Sequence, residues 1–509
     1  MGIKFDRKEI VIVGTIFLIA LFIRLYHLDL TIVSGNDIIR EISYPKRILA
    51  GDLYFGGVPI NIVRHMQVTF GALEYYLLAL PMLVSKSPII ISGFIGLLSS
   101  FAVFWCYKLC RHFFNCNVAI IATGFYAVNP WAVYYSRFIW SPNFIPFFVI
   151  LFIYTLFKVK VEDKKWYILG SFASLATLIQ FHQMTLLLFP LMILIFKKEN
   201  MKQIVLGFLV FISISMPYVL HNVIANTSPL EPFMFASMRS QENPHLINIR
   251  DSLGIPIMMS TNYYGKYMLG NIEISNYPLL NWFFYFIVAI TVVLLLVSIV
   301  HLGISYLRKK DIKKLILLMW LIIPILGFLS LRRNISPHYA ILFFPLQFII
   351  IAIFVDSTKK LRKVIIFLII LIMVSNFGYI MTFYQTIDEK GGTTGAANIP
   401  YKFKLEAAQY IVSNGDDKIN IIFLKSMKRE FQYIFEDILE KKPDYYLLNS
   451  TDELSKQQGG YLIFDKLSMH GYAEKELNKQ ERMLIEGAVQ KHEFGGIVVI
   501  KLPLVTEKI

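Results

Sequence analysis

The residues able to do chemistry stand in a few short stretches between long apolar runs. The richest is SGNDIIREISYPKRILAGDLYFGG (34–57), where Asp37 is followed by Glu41, Tyr44, Lys46 and Arg47 and then the turn Gly51-Asp52. At helical spacing Asp37 and Glu41 stand one turn apart. A carboxylate so placed can take a proton, or can merely cap a helix, since SGND precedes a helical stretch and Asp caps well. The bland reading of the whole stretch is a solvated amphipathic helix lying on a membrane surface. Cations able to hold an anion are Arg64-His65, Arg137 and Arg332-Arg333, with His338 nearby. Arg137 is almost alone among apolar residues, which is costly unless an anion pairs with it or it snorkels to headgroups. His182-Gln183, between two short apolar helices, reads as a helix-end hydrogen-bonding pair.

The elements that must position these groups are membrane helices. Of 509 residues, 56% are hydrophobic and 17% charged, and the mean hydropathy is +0.56. A soluble chain carries about 45–50% apolar and about 25% charged residues. The chain is therefore read as a polytopic α-helical membrane protein, which excludes disordered, coiled-coil and nucleic-acid-binding classes. The net charge of +15 agrees, because residues 385–509 hold 17 Lys+Arg against 19 Asp+Glu, and the excess lies wholly in 1–384. The three cysteines, Cys106, Cys110 and Cys116, form neither a closed disulfide set nor a zinc spacing. The N-terminal apolar run lacks a small-residue cleavage site and reads as a retained signal anchor.

Candidate spans are 10–28, 88–110, 117–135, 144–158, 166–181, 184–196, 203–220, 281–306, 314–331, 338–355 and 364–384, giving eleven to thirteen crossings. Segment 68–84 is ambiguous, half-embedded or re-entrant, because Glu74 sits inside it and Pro81 near its end. Six clusters hold 21 of the 33 cations of the membrane part and fall in alternate connections. That positive-inside pattern puts the N-terminus in the cytoplasm. It puts 29–66, 136–143, 221–280, 332–337 and 385–509 outside. Arg332 and Arg333 break the trend, which argues for substrate phosphate or anionic lipid there. The sequons at Asn226, Asn334 and Asn449 all fall in exterior stretches.

Residues 385–509 read as a soluble extracytoplasmic α/β domain. A helix is expected over 401–415 with Gly415 as a left-handed cap, strands at 419–424, 461–465 and 497–502, and helices at 427–440 and 472–487. The Gly391-Gly392 run lacks the Lys-Ser/Thr of a phosphate loop and reads as a juxtamembrane linker, or else a lid.

Asp37 with the following RILAGDLYF resembles the first lumenal loop of GT-C glycosyltransferases. The likeness is to the dolichyl-phosphate-mannose-protein mannosyltransferase-like group, which includes the aminoarabinose transferases of lipid A. NPWAVYYSRFIWSPN (129–143) resembles that group's Pro…Ser-Arg motif, RRNISPHYAILFFP (332–345) its late His/Arg-Tyr…Pro motif, and GGTTGAANIPYKFKLEAAQYI (391–411) the opening of an exterior domain. The resemblance runs in order along nearly the whole chain. It implies a GT-C-like membrane domain over 1–384 that transfers a sugar, mannose or a related hexose or pentose, with inversion. The donor would be a polyprenyl phosphate and the acceptor a hydroxyl of a glycan, lipid or protein outside the membrane.

By position Asp37 takes the family's catalytic base role. Ile38 stands where many members have a second acid, and Glu41 is the substitute. Met66 follows His65 where relatives often have His-Pro. Asn143 replaces an acid and can orient a sugar hydroxyl. Tyr44, Arg64, His65, Arg137, Arg332, Arg333 and His338 are the remaining candidates for the substrate. No Asp-x-Asp motif occurs in the exterior loops 29–66 and 221–280, so a metal-independent reaction without cofactor is expected, in contact with the bilayer and not with nucleic acid. The competing classes are a polyprenyl-linked sugar flippase or transporter, and a non-catalytic scaffold of the same fold. Ionisable residues kept in loops and the C-terminal α/β domain count against transport.

Overall fold

The computed structural model describes residues 6–32, 36–59, 69–224, 244–330, 335–415, 419–424, 427–448, 460–465, 467 and 490–502. Helix α1 (Arg7–Leu25) is apolar but carries Arg7, Lys8, Glu9 and Arg24. It runs through a 3₁₀ turn (Leu28–Leu30) toward α2 (Asn36–Leu49). Strands β1 (Gly56–Pro59) and β2 (Thr69–Gly71) pair antiparallel and lead into α3 (Leu73–Met82). Ten residues make only about 15 Å of helix, too short to cross a bilayer. Within the ambiguous stretch 68–84, the described residues form a short strand and a short helix.

Caps and prolines set the boundaries that follow. Ser87 accepts from Ile89 N and Pro88 fills the first turn of α4 (Pro88–Phe113). Asn115 caps α5 (Cys116–Ala127), and Asn129-Pro130 starts the separate α6 (Pro130–Tyr135), which splits the expected span 117–135. A 3₁₀ turn (Ser141–Phe144) feeds α7 (Ile145–Glu162). Then come α8 (Tyr167–Phe181), a 3₁₀ stretch (Gln183–Ile195) and α9 (Met201–Ile224). Beyond lie α10 (Pro244–Met258), α11 (Gly265–Leu269), α12 (Pro278–Lys309) and α13 (Ile312–Ser330). A 3₁₀ turn (Pro337–Phe343) bends by 45° into α14 (Leu346–Ser357), and α15 (Arg362–Lys390) closes the membrane part.

The eleven predicted apolar segments are all present as elements, but they are not all full spans. Among the described residues six helices are long and apolar enough to cross a membrane, or seven if the bent pair counts as one span. Helices α5 and α8 and the stretch 183–195 are apolar but shorter. The chain is a multi-pass membrane protein. Its largest core, with Trp131, Trp320, Phe125 and Phe348 fully buried, lies inside this bundle. The outward faces of α9 and α12 stay apolar and exposed, as bilayer-facing surfaces must.

Helix α15 continues unbroken past 385 to Lys390, where Gly391 caps it in the left-handed region (φ +72°). A Cβ on Gly391 would collide with the backbone of Gly495, so glycine is required twice over. The C-terminal part holds α16 (Tyr401–Asn414), α17 (Lys428–Tyr433) continued by a π-helical turn (Ile434–Ile438), and a five-stranded sheet. Its strands are β3 (Asn420–Leu424), β4 (Asp444–Leu448), β5 (Gly460–Asp465), β6 (Gln490–Phe494) and β7 (Ile497–Leu502), in the order β4-β3-β5-β7-β6. Strand β3 runs parallel to β4 and β5, while β7 is antiparallel to β5 and β6.

The three predicted strands are present, whereas β4 and β6 were not foreseen. Gly415 is extended (φ −90°, ψ 151°), not left-handed. Its role is close approach, because a Cβ there would lie 2.8 Å from the Ile411 carbonyl oxygen. The helix expected over 472–487 and the three sequons lie outside the described residues. A second core joins α16 and the sheet to Leu28 and Ile32 of the membrane part. Tyr401 N donates to Ile32 O (3.0 Å) and Lys46 of α2 pairs with Asp437 (2.6 Å), so this domain sits on the first loop.

Candidate functional site

Helix α2 begins at Asn36, so Asp37 lies in its first turn rather than at the N-cap, where the positive helix end favours a carboxylate. One turn on, Glu41 is 1% exposed, and Ile38 and Ile42 beside it are buried. Arg40 donates to Glu41 Oε1 (3.1 Å). The polar edge of α2 carries Lys46 and Arg47, the latter paired with Asp52 (2.8 Å). Helix α2 thus turns an acid inward among isoleucines and leaves its cations outward.

Helix α3 packs against α2 and contributes a second buried acid, Glu74, 3% exposed. Burial first, and the Glu41 carboxylate second, push Glu74 well above the usual carboxylate range, against the opposing Ser141 hydroxyl and Arg40. Tyr44 of α2 stacks on the buried Tyr75 at 4.6 Å and meets Tyr54 edge-on at 5.0 Å. Tyr76 Oη donates to Tyr54 O (2.9 Å). These tyrosines wall the acid pair on one side.

The 3₁₀ turn after α6 supplies the other side. Ser141 reaches Glu74, and Asn143, 5% exposed, donates Nδ2 to Phe138 O (2.5 Å) and keeps an Oδ1 without a hydrogen-bond partner among the described residues. Trp140 lies 4.5 Å from His338, which lies 5.4 Å from His182. His182 accepts from Met184 N (3.2 Å), the helix-end role expected for it, yet its ring also joins this cluster. Distant pieces of sequence thus converge: Glu41 and Tyr44, Glu74, Asn143, His182 and His338.

Arg137 meets backbone carbonyls and a tyrosine hydroxyl. It is fully buried and donates to the Ile23 carbonyl (3.0 Å), to those of Tyr26 and His27, and to the Tyr384 hydroxyl, with its guanidinium 4.4 Å from the Tyr384 ring centre. The isolated cation therefore finds its compensation in the orphan carbonyls at the end of α1, not in headgroups. A second buried arginine, Arg24, bonds Ser99 Oγ (3.0 Å) and Ala127 O (2.7 Å). Sequence reasoning passed over it, although a charge inside an apolar run was the signal. Glu74 was likewise noticed only as a topological ambiguity.

Arg64, His65, Arg332 and Arg333 lie outside the described residues, as does the Asp37 side chain. Among the described residues no group of three or more His, Cys, Asp or Glu side chains is placed to hold a metal ion.

Fold and site together define a multi-pass membrane protein with acids buried at the end of its helices that carries the α/β domain. Residues 73–221 match the family model described as dolichyl-phosphate-mannose-protein mannosyltransferase. The structure is similar to that of ArnT from Cupriavidus metallidurans bound to undecaprenyl phosphate, with a TM-score of 0.56 and 10% identity, covering 98% of each chain. It is similar to the same protein in its apo state (TM-score 0.55, 11% identity, 97% of each chain). It also resembles the Archaeoglobus fulgidus oligosaccharyltransferase in complex with zinc and sulfate, with a TM-score of 0.51 and 12% identity over 86% of this chain and 62% of that one. No curated protein sequence matches the chain. The chain shares the fold of these structures, and residues 73–221 carry the mannosyltransferase family's sequence pattern.

Proposed function

We propose that this chain is an inverting glycosyltransferase that moves a sugar from a polyprenyl-phosphate donor to a hydroxyl acceptor on the outer side of the membrane. The observation that carries the reading is the whole-length likeness to a transferase whose structure holds undecaprenyl phosphate, combined with acids buried beside the first turn of α2. In the reaction the acceptor oxygen attacks the anomeric carbon as Asp37 takes its proton. The bond from that carbon to the phosphate oxygen breaks on the opposite face, and the lipid phosphate leaves with the electron pair. The growing charge needs cations, for which Arg64, His65, Arg332 and Arg333 are the candidates. Arg137 acts one step removed, by fixing the end of α1. Glu41, Tyr44, Asn143 and His338 line the same region and orient sugar or acceptor. The N-terminus is cytoplasmic and the C-terminal domain extracytoplasmic in this reading.

The test is transfer from a radiolabelled polyprenyl-phosphate hexose by the reconstituted protein and by Asp37→Asn. Transfer by the native protein and its loss by several orders of magnitude in the variant is expected. Equal transfer in both would remove Asp37 from the mechanism.

A further inference from the structure

A cavity of about 300 Å³ opens among α11, α12, α15 and the loop 270–277, and neither acid of the buried pair lines it. Three tyrosines line it, Tyr263, Tyr285 and Tyr379. So does Asn262, 1% exposed, whose side-chain Nδ2 and Oδ1 both have no hydrogen-bond partner among the described residues. Asn281, 6% exposed, spends its Nδ2 on Glu273 Oε2 (2.8 Å) and Ser275 O (2.9 Å) and keeps an unpartnered Oδ1. Leaving a buried amide unpaired is costly, because its desolvation is not repaid by a hydrogen bond. Two such amides line one cavity, and a ligand bearing hydroxyls supplies the donors and acceptors they lack.

The walls are held in place before any ligand arrives. Asn271 N donates to Thr394 Oγ1 (3.2 Å), Ala396 N to Tyr267 O (2.8 Å), Thr393 Oγ1 to Met268 O (2.9 Å) and Thr386 Oγ1 to Ile274 O (2.6 Å). Gly270 adopts φ +64°, and a Cβ there would collide with Thr394. The linker after α15 is therefore a clamp on this loop, tied in turn to the C-terminal sheet through Gly496 N donating to Gly391 O (2.9 Å). Beside the cavity, Tyr277 and Trp282 are 74% and 72% exposed, as aromatic side chains at a membrane–water boundary are.

We infer that this cavity is a saccharide-binding site at the membrane boundary, taking one pyranose unit of an uncharged, membrane-anchored glycan. A pyranose offers an apolar C–H face to tyrosine rings and hydroxyls at its edge to amides that can both donate and accept. The exposed Lys266 and Glu273 at the rim are of opposite sign, so the site selects against neither charge by field and gives an anion no paired cations. That this unit belongs to the acceptor rests on the transferase reading, whereas the binding itself does not.

The test uses the full chain in nanodiscs and the hexyl pyranosides of mannose, glucose, galactose and N-acetylglucosamine, with hexanol and hexyl phosphate as controls. Binding is read by saturation-transfer NMR and titration. At least one pyranoside should bind saturably, and Asn262→Leu and Tyr285→Leu should each weaken it about tenfold or more. Asn262→Leu should unfold at an unchanged or higher temperature, because it removes an unpaired amide rather than a structural bond. Tyr285 is 51% exposed, so its variant tests binding without disturbing a core. Binding of none of the pyranosides, native affinity in both variants, or equal binding of hexanol or hexyl phosphate would overturn the inference. If pyranosides bind through Asn262 while Asp37→Asn transfers normally, the catalytic assignment fails and this site stands. The reverse outcome removes this site alone.

Discussion

Replacing Arg137 separates a structural cation from a phosphate ligand. Its guanidinium donates to three backbone carbonyls at the end of α1, those of Ile23, Tyr26 and His27, and to the Tyr384 hydroxyl of α15. Arg137→Met keeps most of the volume and removes every donor. At about 1–1.5 kcal/mol for each of three buried carbonyl bonds, the loss is about 3–4.5 kcal/mol. Arg137→Lys should recover only part of it, since an ammonium cannot reproduce the planar fork that reaches two helices at once. The assay is thermal unfolding of the purified protein in nanodiscs beside donor KM measured on the folded fraction. A lowered unfolding temperature with donor KM unchanged is expected. An unfolding temperature equal to native with a raised donor KM would refute the reasoning and return Arg137 to the phosphate.

Two more perturbations test the packing of ionisable groups. The Glu74 carboxyl is held above its ordinary range in the fold, so the stability it contributes is complete at low pH and falls as pH rises through its raised value. Glu74→Gln should therefore gain in unfolding temperature relative to native as pH is increased, and a difference that stays constant with pH would contradict the burial argument. In the C-terminal domain Lys404 and Glu430 form a buried ion pair. Lys404→Met, which takes the ammonium away from this buried carboxylate, should cost about 3–5 kcal/mol. The double change with Glu430→Leu should restore most of it, as read by urea unfolding, and a double variant no better than the single would show that the pair is not the coupling.

The amino-acid sequence by itself determined the membrane class, because no soluble core can hide 56% apolar residues. It also set the eleven apolar elements and the helix and strands of α16, β3, β5 and β7, whose periodicities are local properties of the chain. It singled out the first loop, since density of charge beside apolar runs is visible without coordinates. It did not reveal which apolar elements are too short to span, because 117–135 reads as one apolar run although Asn129-Pro130 inside it starts a new helix. Strand β6, with most of its residues exposed, carries no hydrophobic signal and exists by pairing with β7. Only the tertiary structure decided what each ionisable group meets. It put Glu74 against Glu41 across α2 and α3, gave Arg137 carbonyls rather than an anion, and gathered His182, His338 and Trp140 from three separate segments. Partners so far apart along the chain leave no periodicity to read, and the charge state of a buried group depends on the neighbours that packing assigns it.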